Sequence, residues 1–265
     1  MRFWLPALLV LVWALLALLG PWLPLAPNGI DLERILQPPD GLTGLGHDDL
    51  GRPLLDRLIA GARTSFLVSV WVVALSVTIG SLVGAFSGYV GGLWDRIIVH
   101  LIDMFLAFPG ILLAIALAGI LGPGIGNVVI ALSAVGWVGF ARLARAQVLS
   151  LKHREHVQAA IVLGLPRFTI IRHHLLPMIA APLIVEATFG IASVVVAEAG
   201  LSFLGLGVQP PDPSWGSMIR DGTRYLLVAP HMVLAPGIAM VLVVLSVNLL
   251  GDRLRDWMDV RGGIR

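Results

Sequence analysis

Three carboxylic acids interrupt stretches of the sequence that are otherwise apolar over membrane length: Asp103, Glu186 and Glu198. An ionised carboxylate costs several kcal/mol in hydrocarbon unless it is paired or faces water, so such residues are candidates for lining a translocation pathway. Acids in a pathway could bind a cationic group or relay protons. The structural alternative is hydrogen bonding between helices or a position near the membrane surface. The sequence leaves both interpretations open.

No set of residues for covalent or hydrolytic catalysis accompanies these acids. The chain has no glycine-rich phosphate loop and no Gly-x-Ser-x-Gly elbow, because the segment Gly200–Gly205 has the wrong spacing. Four histidines lie between positions 153 and 174, but no carboxylate or thiolate completes a tetrahedral metal set at standard spacing. The sequence therefore predicts no catalytic residue and no metal site.

The composition predicts a membrane protein. The chain is 57% hydrophobic and 13% charged, with a mean hydropathy of +0.91, which excludes a soluble enzyme. A helix needs roughly 20 apolar residues to cross a hydrocarbon core of about 30 Å. A cleaved signal peptide is the alternative for the first apolar block, but its continuation through Trp22 favours an uncleaved span. Six blocks predict six transmembrane helices: Phe3–Leu25, Phe66–Val90, Ile97–Leu121, Asn127–Leu149, Met178–Leu201 and His231–Gly251.

The distribution of positive charge predicts the orientation. If the polar segment 152–177 is cytoplasmic, twelve of the 18 Lys and Arg residues lie on its side of the membrane and six on the other. This bias follows the positive-inside rule and places both termini in the cytoplasm. The pI of about 9.7 is then a consequence of topology. The basic residues are dispersed and lack interleaved aromatic residues, so no nucleic-acid partner is predicted.

Glycine and proline predict packing and bending within the spans. Residues four apart lie on one face of a helix, and glycine lets a neighbouring backbone approach closely. Pro109 and Gly110 predict a kink in the third span. The glycine ridge predicted on the second span consists of Gly80, Gly84, Gly88 and Gly92.

The first 65 residues are predicted to form one unit, with the first transmembrane helix followed by an external loop. The segment from Leu54 to Arg63 has apolar residues at helical spacing, which predicts an amphipathic helix lying at the outer membrane interface. Residues 66–265 are predicted to form the transmembrane core domain.

The polar segment 152–177 lies between the fourth and fifth apolar blocks. It contains a helical stretch from Glu155, a bend at Gly164 and a second helical stretch that ends at Pro177. This arrangement resembles the EAA loop of ABC-importer permeases, in which two short helices seat in a cleft of an ATPase subunit. The alternative is an ordinary surface helix between two spans. The resemblance assigns ATPase docking to Glu155, Gln158, Ala159, Ala160, Gly164, Arg167 and Pro177. Gln158 replaces the usual Glu of the family, which removes a charge but keeps a hydrogen-bonding side chain of similar reach.

Two further segments resemble signatures of the dipeptide, oligopeptide and nickel permeases. Residues 201–216 match LSFLGLGxQPPxPxWG, and the segment from Gly46 to Arg63 resembles GTDxxGRDxxSRLxxGxRxSL, with His47 and Pro53 among its departures. The resemblance extends over nearly the whole chain. Within this family, the chain resembles the second membrane subunit of the dipeptide permease.

The resemblance implies an all-α membrane protein with the six-helix type I ABC-importer permease fold, in the inner membrane of a bacterium. The implied partners are a second homologous permease, two cytoplasmic ABC ATPases, an external solute-binding protein and membrane lipid. The subunit itself would bind no cofactor and catalyse no reaction, since ATP and Mg²⁺ bind the ATPases. The implied substrates are di- and oligopeptides, with nickel or a metal chelate as the alternative. A proton-coupled secondary transporter using Glu186 and Glu198 is a remote alternative, and the inverted repeats expected of one are absent from the sequence.

Overall fold

The computed structural model describes residues 4–41 and 44–262, with side chains described as far as Met258. All named secondary-structure elements in this part of the chain are helices, as predicted. The five long helices are α1 (Trp4–Leu19), α2 (Leu54–Val90), α5 (Ile125–Leu151), α8 (Leu176–Phe203) and α10 (His231–Gly262). The shorter helices are α3 (Gly92–Leu106), α4 (Gly110–Leu121), α6 (Glu155–Val162), α7 (Arg167–Ile170) and α9 (Trp215–Thr223). The predicted start of the first span, Phe3, and the predicted end of the core domain, residues 263–265, lie outside the described residues.

Among the described residues, five helices are long and apolar enough to cross a membrane, and each overlaps one of the six predicted blocks. The remaining block, Ile97–Leu121, is a bent pair: α3 and α4 meet at an angle of 87°. Pro109 precedes the first residue of α4 and has no N–H to continue the preceding helix. The predicted kink is therefore a sharp break, and the structure has six spans only if this bent pair counts as one.

Two of the spans are longer than the sequence predicted. The helix expected at the outer interface, Leu54 to Arg63, is the first part of α2 and continues into the span without a break. Buried residues such as Leu54, Ala62 and Val68 follow one face across the proposed boundary at residue 65, which is why the helix does not end there. In the same way, α7 passes through a π-helical turn, Ile171–Leu175, directly into α8.

The glycine ridge of α2 packs against α5 of the same chain. Cβ atoms added at Gly80 and Gly84 would overlap backbone carbonyl oxygens of α5, and one at Gly88 would lie 2.9 Å from the carbonyl oxygen of Arg145. No side chain could be accommodated between the two backbones at this distance. The close approach expected of the ridge is thus present at three of its four glycines.

Gly92 is the exception, because α2 ends at Val90. Gly91 and Gly92 have φ angles of +69° and +64°, and this left-handed pair turns the chain into α3. Among the described residues, no atom of another element lies within 4 Å of the position of a Cβ at Gly92. The regular spacing of four does not continue the ridge beyond the end of the helix.

The end of the molecule opposite the 152–177 loop is joined by tryptophan hydrogen bonds. Trp215, at the start of α9, is buried and donates its indole N–H to the carbonyl of Leu58 at 3.0 Å. Trp13 of α1 donates to the carbonyl of Ala62 at 3.2 Å. Both acceptors belong to the first turns of α2, so α1, α2 and α9 are held together. The irregular chain predicted after Leu201 begins at Leu204 and lasts until α9.

The segment that begins at Gly46 and resembles the GTDxxGRD signature is folded around Asp48. The carboxylate of Asp48 accepts the Nε–H of Arg52 at 2.7 Å and lies 3.3 Å from Nε of Arg57. All three residues are buried. Burial raises the pKa of the neighbouring Asp49 above its ordinary value. This ion-pair cluster fixes the loop before α2 to the first turn of that helix.

Candidate functional site

One face of α6 is fixed to the transmembrane bundle. Val157 and Ala160 are 0% and 2% exposed and belong to one buried cluster with Val148 of α5 and Ile179 of α8. They lie three residues apart, which places them on the same side of the short helix. The opposite side of α6 is exposed. A force applied to α6 would therefore act directly on two long helices.

The predicted bend after α6 is a glycine-terminated helix end. Gly164 has a φ of +76°, its N–H binds the carbonyl of Ile161 at 2.9 Å, and the N–H of Leu165 binds the carbonyl of Ala160 at 3.2 Å. These two bonds form a Schellman motif, in which the residue at the position of Gly164 is left-handed. Pro166 then precedes the first residue of α7. The sequence thus specifies the end of α6, the turn at Gly164 and the start of α7.

Four large apolar side chains surround this bend and have little contact with the rest of the chain. Val162, Leu163 and Phe168 are 86%, 79% and 66% exposed, and Ile161 is 43% exposed. We call these four residues the apolar tip. An exposed apolar patch of this kind, bordered by polar residues, marks a surface that binds another protein or a membrane. Because the tip belongs to a polar loop between two spans, a protein partner accounts for it better than lipid does.

Six of the seven residues predicted to dock the ATPase are exposed. The exposed ones are Glu155, Gln158 and Ala159 of α6, Gly164 at the bend, Arg167 of α7, and Pro177, which is the second residue of α8. Ala160 differs: it is buried, so it seats α6 on the bundle and presents no surface to a partner. The amide of Gln158 donates to the carbonyl of Lys152 at 3.0 Å. A glutamate, the usual residue of the family, has no N–H with which to make this bond.

The three intramembrane acids have different surroundings. Asp103 is exposed on α3. Glu186 is exposed and lines an open groove of about 520 Å³ between α5, α8 and α10, together with Gln147 and Arg255. Glu198 is 1% exposed. Only Asp103 and Glu186 are therefore accessible from outside the chain, and the structure does not bring the three acids together.

Glu198 joins two helices inside the protein. Its carboxylate accepts a hydrogen bond from Ser65 of α2 at 3.0 Å and one from Ser202 of α8 at 2.7 Å. This is the interhelical bonding that the sequence left as the alternative to pathway lining. The structure favours that alternative for Glu198.

We expect Glu198→Leu to lower the free energy of unfolding, because the hydroxyls of Ser65 and Ser202 would lose their acceptor at a cost of about 1–3 kcal/mol each. Glu198→Gln keeps an acceptor oxygen and should be much less destabilised. The thermal midpoint of the purified chain in detergent measures both effects. A Glu198→Leu protein with an unchanged midpoint would show that the carboxylate does not hold the helices together.

The fold and the site define a class of protein: a multi-pass membrane protein with an exposed apolar tip on a polar loop between two spans. Residues 80–261 match the family described as binding-protein-dependent transport system inner membrane component. The match covers more than half of the chain, and the chain belongs to this family of inner membrane permeases.

Curated relatives are similar over most of their length. The glutathione transport system permease protein GsiD of Pectobacterium atrosepticum is 40% identical over 234 residues, which cover 88% of this chain and 78% of GsiD. The dipeptide transport system permease protein DppC of Alkalihalophilus pseudofirmus is 43% identical over 224 residues, covering 84% of this chain and 74% of DppC. The predicted membership of the chain in the dipeptide family of ABC-importer permeases is confirmed.

The fold is that of a solved ABC importer. A chain of the methionine ABC transporter MetNI, in an inward-facing conformation, aligns with a TM-score of 0.62 at 19% identity, covering 77% of this chain and 97% of its own. The predicted all-α, type I importer permease fold is confirmed by this likeness.

Proposed function

We propose that this chain is one permease subunit of an ATP-driven, binding-protein-dependent importer of di- and oligopeptides. Its relatives are described as transporting dipeptides and glutathione, which is itself a short peptide. The apolar tip carries the proposal, because such a surface on a loop between spans needs a protein partner. That partner is a cytoplasmic ATPase, and both termini of the permease lie on the same side as the loop.

The complete transporter contains a second homologous permease, two ATPases and an external solute-binding protein. ATP and Mg²⁺ bind the ATPases, and this subunit contributes no hydrolytic residue. When the ATPases close, they displace the apolar tip and α6. The buried contacts of Val157 and Ala160 carry that displacement into α5 and α8. A rigid-body movement of these spans then exposes the pathway to one side of the membrane and afterwards to the other.

The test is peptide uptake into proteoliposomes that contain the assembled transporter, with ATP and the pH gradient varied independently. Uptake should require ATP and the binding protein and should be unchanged when the gradient is collapsed. Gradient-driven uptake without ATP would overturn the proposal. Binding of metal in place of peptide by the purified solute-binding protein would overturn the substrate class alone.

Glu186→Gln separates a pathway residue from a proton relay in the same assay. Glu186 is exposed to the groove, and an exposed carboxylate contributes about 1 kcal/mol or less. We therefore expect ATP-driven uptake to fall by less than about tenfold, with its ATP dependence intact. In a proton relay the same substitution would abolish transport. Arg142→Gln, which replaces an exposed charge on α5, serves as the matched surface control.

A further inference from the structure

An ion pair joins α3 to α5 near the 152–177 loop. Arg145 of α5 donates from Nε to Oδ1 of Asp95 at 2.6 Å and from Nη2 to Oδ2 at 2.7 Å. Ser87, in the last turn of α2, donates its hydroxyl to the same carboxylate. The side chains of Arg145 and Asp95 are 29% and 19% exposed. A bidentate, partly buried pair of this kind is stronger and more directional than a surface ion pair.

A second set of bonds connects the same corner to α6. The ammonium of Lys152, directly after α5, donates to the carbonyl of Gly88 at 3.2 Å. The carbonyl of Lys152 in turn accepts the amide of Gln158 at 3.0 Å. The end of α2, the start of α3, the end of α5 and the docking helix α6 are therefore linked by side-chain hydrogen bonds.

The helix α3 has few other attachments. All of α3 is described, and Ile102 is its only buried residue. Ile102 packs with Val138 and Ala141 of α5, about two turns from Asp95. Beyond it the chain breaks and continues into α4 at 87°. Phe105 adds an edge-on ring contact with Trp137 of α5, at 5.8 Å between ring centroids. The second half of the bent pair is held separately, because Ala114 and Ala118 of α4 belong to a buried cluster with α5. The position of α3 relative to α5 thus depends on the small apolar cluster around Ile102 and on the Asp95–Arg145 ion pair.

We propose that Asp95 and Arg145 are positioning residues that couple α3, the first half of the bent pair, to the movement of the docking loop. When α6 moves, the end of α5 moves with it, and the bidentate pair makes α3 follow. Without the pair, α5 would move while α3 remained behind, and ATP would be hydrolysed with less transport. The inference rests on the proposed function, because it assumes that the loop is driven by an ATPase.

The experiment measures peptide molecules transported per ATP hydrolysed in the reconstituted transporter. Asp95→Asn and Arg145→Gln should each lower this ratio about tenfold, the range expected when a charge-assisted bond is lost. The double variant should also be about tenfold lower, because both substitutions remove one interaction. ATP hydrolysis itself should continue, since α6 remains seated through Val157 and Ala160. Arg96→Gln and Arg142→Gln, which replace exposed arginines of α3 and α5, should leave the ratio unchanged.

Arg145→Lys keeps the charge but cannot make both bonds, so it tests the pair if Arg145→Gln does not assemble. Its ratio should lie between those of the wild type and Asp95→Asn. An unchanged ratio in Asp95→Asn or Arg145→Lys would overturn the inference. A hundredfold loss in the double variant would also overturn it, since the two residues would then act independently. Failure of the proposed function gives a different result, because the wild-type transporter itself would show no ATP-driven uptake.

Discussion

Gly84→Leu should prevent this chain from reaching a stable fold, even when no partner permease is present. The Cβ of any other residue at position 84 would overlap the carbonyl oxygen of Ala141, which is backbone and cannot move without displacing α5. Gly84→Ala adds a single methyl group and should cost about 1–3 kcal/mol of unfolding free energy, as overpacked cores do. Leucine adds three more carbon atoms at the same point. We expect its cost to exceed the whole free energy of unfolding of the chain.

The measurement is the yield and thermal midpoint of the detergent-extracted chain, expressed alone and with its partner. Gly139→Leu is the matched control, because Gly139 lies on α5 of the same helix pair but has no described neighbour within 4 Å of its Cβ position. Wild-type yield and midpoint for Gly84→Leu would contradict the packing. Loss of stability only in the co-expressed complex would instead place the ridge at an interface between subunits.

The apolar spans and the glycine ridge could be predicted from the sequence because both depend on local pattern. Membrane length and composition locate five spans, and a spacing of four places Gly80, Gly84 and Gly88 on one face. The pattern does not say where a helix ends, so it included Gly92 and separated the first turns of α2 from the span. The 87° angle between α3 and α4 depends on tertiary packing, and Pro109 indicated only that a break occurs there.

The docking role of the 152–177 loop was predicted from its resemblance to a family, and the bend in that loop follows from Gly164 and Pro166. The apolar tip was missed because the exposure of Val162 and Leu163 depends on which face of α6 packs on the bundle, and that of Phe168 depends on the orientation of α7. A usable signal was present in α6: Val162 and Leu163 are apolar within a polar segment and are out of phase with Val157 and Ala160. The Asp95–Arg145 pair could not be predicted, since the two residues are 50 positions apart and no local pattern links them.

Gly164→Trp should abolish peptide uptake and the stimulation of ATP hydrolysis by substrate, while the chain still inserts and folds. The left-handed φ of +76° costs a non-glycine residue about 1–2 kcal/mol. The buried contacts of Val157 and Ala160 keep α6 in place despite this cost. No described atom lies within 4 Å of the Cβ position at Gly164, so the indole has room in the permease itself. It would project beside the apolar tip, into the space assigned to the ATPase in the proposed function.

Gly164→Asn distinguishes backbone strain from obstruction of docking. Asparagine tolerates the left-handed conformation and is small, so this variant should retain most of the uptake and most of the stimulated hydrolysis. The measurements are uptake, ATP hydrolysis with and without substrate, and retention of the ATPase when the complex is purified through the permease. The docking role predicts that Gly164→Trp loses the ATPase at a nearly normal thermal midpoint of the permease. If the tryptophan variant instead retained the ATPase and its stimulation by substrate, the apolar tip would not be the surface on which the ATPase acts.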